Sequence, residues 1–253
     1  MIIFDTETTG LQPGSRIIEL GSVRVDDAGK VIDTFHRMIN PQMPLPADAL
    51  AVNRITKEML DAAAMPGDAF ADWLNWVGDE AFGAAHYAPY DVGVLSWGLG
   101  RAGLVMPSFH VIDTCEMAKA IKQTKNNKLQ TLVEHYKIKV EGEAMAHRAI
   151  ADCHACRIYY SLAKDKTEVR SRIWTAPYVY VSPSLLPIDL ELLPEAVAKG
   201  LPFSFRYQDA QGNITNRTIT PYGWAMVNGN IIFHGMDHMR NERREFRADR
   251  VLV

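Results

Sequence analysis

The chain has 253 residues, 47% of them hydrophobic and 23% charged. That is enough apolar material for one large or two small cores, and too few charges for wholesale disorder. A net charge of −3 and a pI of about 6.2 argue against a protein that works only by coating nucleic acid, since such proteins are usually basic. An enzyme whose carboxylates hold cations stays open, because bound metal reverses the local sign. Residues 1–170 hold 18 Lys+Arg against 22 Asp+Glu, and residues 171–253 hold 9 against 8. The three cysteines, Cys115, Cys153 and Cys156, are too few for a disulfide framework and suggest a reducing compartment. Cys153 and Cys156 form a C-x-x-C in a helical pattern with no second pair, so burial in a core is expected over redox or zinc chemistry. There is no basic n-region at the start and no run of about 18 apolar residues. A soluble, cytoplasmic protein with no membrane partner is expected.

In chain order, residues 2–4 form a short apolar run that reads as a buried strand. Residues 17–25 and 31–39 continue as strands around a polar turn at 26–29. Their short connections predict an antiparallel meander. Helices are predicted over 46–52, 57–64, 68–77, 91–102, 114–121, 129–136 and 148–162. Short strands at 82–86 and 111–112 interleave with them. Strands followed by alternating helices and strands predict an α/β layer fold. Prolines and lost periodicity over 174–187 read as a linker, with the domains bounded at 1–168 and 191–253 and the linker at 169–190. From Pro202 the pattern becomes all-β, with strands at 203–207, 215–219, 224–227, 230–234 and 244–246, which suggests a small barrel or sandwich.

Asp5 and Glu7 sit at the end of the first strand. Alternation puts both carboxylates on one face, where they repel each other unless a hard cation lies between them. Asp91 opens a helix, where an N-cap is the plainer explanation. His147 and Asp152 are five apart near the start of a long helix. Each signal is weak alone; their order carries the reading. Phe4-Asp5-Thr6-Glu7-Thr8-Thr9-Gly10-Leu11 with Ile17-Ile18-Glu19-Leu20-Gly21, then Ala85-His86-Tyr87-Ala88-Pro89-Tyr90-Asp91, then His147-Arg148-Ala149-Ile150-Ala151-Asp152 resemble the three motifs of the DEDDh exonuclease superfamily. Val111-Ile112-Asp113-Thr114 and Lys128-Leu129-Gln130-Thr131-Leu132 match positions between them.

That resemblance implies an RNase H-like fold and a 3′→5′ exonuclease. Asp5, Glu7, Asp91 and Asp152 would hold two Mg²⁺ or Mn²⁺ ions, and His147 would be the general base. Thr6, Thr8, Thr9, Gly10, His86, Tyr87 and Tyr90 would meet the terminal nucleotide of a single-stranded DNA or RNA 3′ end. The chain departs from the pattern at Tyr87, where the family usually has Asn, at Tyr90, where it has Phe, and at Asn53, where it often has His. Oligomeric state is open, although several relatives pair into homodimers. Two other readings stand beside this one: a catalytically silent binding or ligand-sensing protein, and a proofreading partner of a polymerase.

The C-terminal part resembles a WYL domain, an SH3-like barrel, through Phe203-Ser204-Phe205-Arg206-Tyr207, Arg217-Thr218-Ile219-Thr220-Pro221-Tyr222-Gly223 and residues 243–251. Ile231-Ile232-Phe233 stands where the three naming residues would be. Residues 240–250 hold five arginines. Arg217, Tyr222, Arg243, Arg244 and Arg247 are the candidate C-terminal contacts to nucleic acid. The alternative is a salt-bridged turn and strand, because Glu242, Glu245 and Asp249 are interleaved.

Overall fold

A computed structural model describes residues 1–46, 55–140 and 148–252. The N-terminal domain is built on a six-stranded sheet in the order β3-β2-β1-β4-β5-β6. Strands β1 (Ile2–Thr8), β2 (Ile17–Val25) and β3 (Val31–Met38) form the expected antiparallel meander. Strands β4 (Phe82–Ala85) and β5 (His110–Asp113) run parallel to β1, and β6 (Ser171–Arg172) closes the edge antiparallel to β5. The helices are α1 (Lys57–Asp61), α2 (Pro66–Val77), α3 (Ala88–Arg101), α4 (Thr114–Ile121), α5 (Leu129–Tyr136) and α6 (Ala149–Ala163). The helix expected over 46–52 falls at 47–52 outside the described residues, as does Asn53.

Strand β1 is central, so its apolar start is buried on both faces. Ile2 and Phe4 enter a core with Phe70, Trp73, Leu95 and Leu99 from α2 and α3, whereas Ile3 enters another with Cys153, Cys156 and Tyr159 from α6. Alternation then sends Asp5 and Glu7 to the α6 face and Thr6 to the α3 face. Asp5 pairs with Gly21 across the β1–β2 ladder. A Cβ on Gly21 would lie 2.7 Å from the Ala149 carbonyl carbon, so this glycine lets the first turn of α6 lie directly on β2 beside the carboxylates. All three cysteines are free and buried, and the Cys153 thiol donates to the Gly21 carbonyl at 3.3 Å.

The C-terminal domain is a five-stranded antiparallel sheet in the order β10-β9-β8-β7-β11. Its strands are β7 (Phe203–Gln208), β8 (Ile214–Val227), β9 (Asn230–Asp237), β10 (Glu242–Arg247) and β11 (Val251–Leu252). The runs expected at 215–219 and 224–227 are one strand, bent at a register shift between Pro221 and Gly223. A short helix unforeseen in the sequence, α7 (Leu193–Lys199), starts at Pro194 in its first turn and stops at Gly200 in the left-handed region. Phe203, Phe205, Phe233 and Phe246 pack at its centre, Phe233 stacked on Phe246 with centroids 5.5 Å apart.

The intervening stretch is packed against both domains. Trp174 Nε1 donates to the Val111 carbonyl, Tyr178 joins the first core, and Val179 exchanges backbone hydrogen bonds with Met226. Trp97 of α3 donates to the Trp224 carbonyl of β8 at 3.1 Å. No helix among the described residues is long and apolar enough to cross a membrane.

Candidate active site

Asp5, Glu7 and Asp152 bring carboxylate oxygens to within 4.8 Å of one another, two from the end of β1 and one from the first turn of α6. Burial, and then the neighbouring Asp91, Asp152 and Glu7, hold the Asp5 carboxyl well above the usual carboxylate range. Glu7 is pushed up to about 8 by burial, Asp152, Glu19 and Asp91, against a smaller opposite pull from Arg148. Three carboxylates in one cleft, two of them held above their ordinary range, offer hard oxygen donors that fit a divalent cation; its charge would replace the protons on Asp5 and Glu7.

Asp91 approaches from the other side of β1. Helix α3 starts three residues earlier than the sequence pattern suggests, so Asp91 lies in its first turn and Tyr87 occupies the N-cap. Its side chain is 3% exposed, and Oδ1 accepts from the Thr6 amide at 3.1 Å and the Thr6 hydroxyl at 2.8 Å. Burial raises its pKa, and the Thr6 hydrogen bonds oppose that rise. Asp91 lies outside the three-carboxylate group, although its charge is felt by Asp5 and Glu7.

Behind these acids lies a pair that motif reading did not single out. Glu19 of β2 sits opposite Glu7 in the ladder and is 1% exposed. Arg148 grips it with Nε at 2.8 Å from Oε2 and Nη2 at 2.9 Å from Oε1, while His36 Nε2 lies 2.6 Å from Oε1. Burial pushes the Glu19 carboxyl up, but the hydrogen bonds from His36 and Arg148 outweigh it and hold the group below its ordinary range. Arg148 precedes α6 directly, so this ion pair anchors the helix that carries Asp152. His147, the expected general base, lies outside the described residues.

The loop after β1 is fixed from within. The Tyr90 hydroxyl donates to the Gly10 carbonyl at 2.9 Å and lies 2.5 Å from the Thr8 hydroxyl, which itself donates to the Gly10 carbonyl. The departure from Phe at this position therefore supplies a hydrogen bond. Thr9 Oγ1 accepts from the Arg16 amide. Leu11, next along, is 77% exposed.

His86 turns away from the carboxylates: Nδ1 meets the Thr114 hydroxyl at 2.9 Å and Nε2 the Asn127 carbonyl at 2.7 Å, so both ring nitrogens serve the fold. Tyr87 is 53% exposed and has φ 73°, in the left-handed region where Asn is tolerated and an aromatic residue is strained. Its amide donates to Asp113 Oδ1, which also accepts from the Cys115 amide and so caps α4. The Lys119 ammonium lies 5.8 Å from the centroid of its ring.

The C-terminal arginines mostly face acids of their own sheet. Arg217 is tied into the sheet: its side chain is 10% exposed and donates to the fully buried Asp237 at 3.1 Å. Arg244 pairs with Glu242, and Arg247 with Asp249 and Asn230. Arg243 leaves its sheet for the loop after β1, with its guanidinium 4.9 Å from the Tyr222 ring centroid. A cavity of about 380 Å³ in the same domain is lined by Arg217, Arg240, Arg244 and Arg250 together with Asp209 and Glu245.

Comparison with known proteins places the parts. The Exonuclease family model of RNase T type matches residues 2–159, and the WYL domain model matches residues 189–253. Over 171 residues the chain is 36% identical to a PolC-type DNA polymerase III of Lacticaseibacillus paracasei. The match covers 66% of this chain and 12% of the polymerase, so the chain spans only a small part of that relative. Exonuclease X, solved in complex with 5′ overhanging duplex DNA, superposes with a TM-score of 0.53 at 27% identity, covering 69% of this chain and 94% of that one. Exonuclease I of E. coli, in complex with a dA16 oligonucleotide, gives 0.56 at 15% identity and covers 93% of this chain and 54% of that one, a likeness of fold.

Proposed function

The chain belongs to the exonuclease family, and from that premise we propose that it is a DEDDh-type 3′→5′ exonuclease acting on single-stranded or frayed nucleic acid, with the WYL module contacting nucleic acid or sensing a ligand. The observation that carries this reading is the Asp5–Glu7–Asp152 cluster, three acids drawn together by β1 and α6, with the Asp5 and Glu7 carboxyls pushed up by burial and by one another. With Asp91 these residues would hold two Mg²⁺ or Mn²⁺ ions, which when bound supply a nucleophilic water and neutralise charge on the leaving 3′ oxygen.

The chain's own residues do the rest. His147 takes the proton from the attacking water, an ordinary imidazole role near neutral pH. The Thr6 amide and hydroxyl orient Asp91. The loop from Thr8 to Gly10, held by Tyr90, bounds the place of the terminal nucleotide. The exposed Tyr87 ring offers a stacking face to a base, an interaction of about 1–3 kcal/mol. The cavity of the C-terminal domain, with four arginines against Asp209 and Glu245, suits an anionic ligand.

Single-stranded DNA and RNA labelled at the 3′ or 5′ end, incubated with Mg²⁺ or Mn²⁺, test the reading. Laddering from the 3′ end, abolished by EDTA, Asp5→Ala or His147→Ala, is the expected result. Strands left intact but tightly bound would overturn it and favour a silent binding protein.

A further inference from the structure

The β1–β2 loop is gripped from outside as well as from within, and the outer grip belongs to the C-terminal domain. Arg243 of β10 donates from Nη2 to the Thr9 carbonyl at 3.2 Å and from Nη1 to Gln12 Oε1 at 3.1 Å. The guanidinium lies so close over Gly10 that a Cβ there would stand 2.2 Å from Nη1. Behind it, the loop backbone touches the β8 backbone. A Cβ on Gly14 would lie 2.5 Å from the Trp224 carbonyl oxygen, and one on Gly223 would lie 2.3 Å from the Gly14 carbonyl oxygen. Gly14 also has φ +89°, which a side chain rarely adopts. Two glycines more than 200 residues apart in sequence thus let the two domains meet backbone to backbone at the loop that follows Asp5 and Glu7.

We propose that Arg243 is a positioning residue for the exonuclease: through it the WYL module holds the Thr9–Gln12 loop in the form that receives the 3′ end of the strand. The chemistry of the contact suits this role. A guanidinium is planar, permanently charged and carries several donors, so one side chain fixes a main-chain carbonyl and a side-chain amide at once. Gly10 is then held between Tyr90 on one side and Arg243 on the other. Strand alternation gives the contact a second consequence. Arg243 and its neighbour Arg244 leave β10 on opposite faces, so the strand that lines the cavity with Arg244 also presents Arg243 to the exonuclease loop.

The proposal rests on the exonuclease reading, and the wild-type ladder decides that reading separately. The test uses the full chain, with kcat and KM measured on a 3′-labelled single strand at several salt concentrations. Arg243→Ala is expected to raise KM about tenfold while kcat stays within about twofold, because the loop orders the strand and takes no part in proton transfer. Arg243→Lys should recover part of that loss. Gly10→Ala keeps the arginine but its methyl displaces the guanidinium, so it should raise KM in the same direction, and the double variant should be no worse than Arg243→Ala. It also serves if Arg243→Ala fails to fold. KM unchanged in both single variants, or additive effects in the double, would overturn the proposal. So would a salt dependence for Arg243→Ala that falls by about 0.7 in log–log slope, since that would mark a direct phosphate contact.

Discussion

Replacing Arg148 with Met should unseat the active site without touching a proposed metal ligand. Arg148 makes three hydrogen bonds to Glu19, at 2.8, 2.9 and 3.1 Å, and Glu19 is 1% exposed. Met keeps the apolar stem and removes the charge. The carboxylate is left with His36 alone, in a strand that already faces Glu7. Breaking a buried ion pair from one side costs about 3–5 kcal/mol, and the 29% exposure of Arg148 places this case near the lower end. For a chain of this size that is a fall in Tm of roughly 6–12 °C. Differential scanning calorimetry of the wild type, Arg148→Met, Glu19→Gln and the double variant measures the coupling. The double variant should be more stable than Arg148→Met, since it no longer buries an unpaired charge. Activity should fall in both variants lacking Arg148, because the start of α6 loses its tie to β2. Strictly additive losses, or a loss below about 0.5 kcal/mol for Arg148→Met, would refute the reasoning.

The raised Glu7 predicts a linkage between pH and metal. A group with a folded pKa of about 8 against an unfolded value near 4.5 contributes stability at low pH that is lost as pH rises through that window. Metal-free protein should therefore melt lower at pH 8.5 than at pH 5.5, and Mg²⁺ or Mn²⁺ should raise Tm more at the higher pH; an equal metal effect at both would count against the cluster as the binding site. Asp5→Asn should abolish cleavage yet raise the Tm of metal-free protein at pH 8 by a few degrees, roughly 1–2 kcal/mol, since it removes one of the crowded acids. A lower Tm would show that Asp5 is instead held by favourable partners. Tyr87→Asn should stabilise the fold by about 1 kcal/mol through relief of the left-handed aromatic, while weakening single-strand binding; unchanged binding would remove the ring from the substrate site.

Much of this molecule was legible along the chain. The period of two in Ile2–Glu7 set Ile2 and Phe4 against Ile3 and put both acids on one face, and helical spacing gave α2 through α6 within a few residues. Motif order pointed to the carboxylates of Asp5, Glu7 and Asp152 that the fold brings together. These are local features, fixed by the geometry of a strand or a helix over a handful of residues. The tertiary structure alone decided who holds whom. Glu19 gains its role from Arg148, 129 residues away, and the hydroxyl of Tyr90 from the Gly10 carbonyl, 80 residues away. Nothing along the chain pairs Arg217 with buried Asp237, and Arg243 looked like its neighbours until the domain interface brought it to Thr9. An arginine in a sequence carries charge and donors but no address. Which carboxylate or carbonyl it meets depends on how strands stack and how two domains close, and that is settled by burying apolar surface over the whole chain.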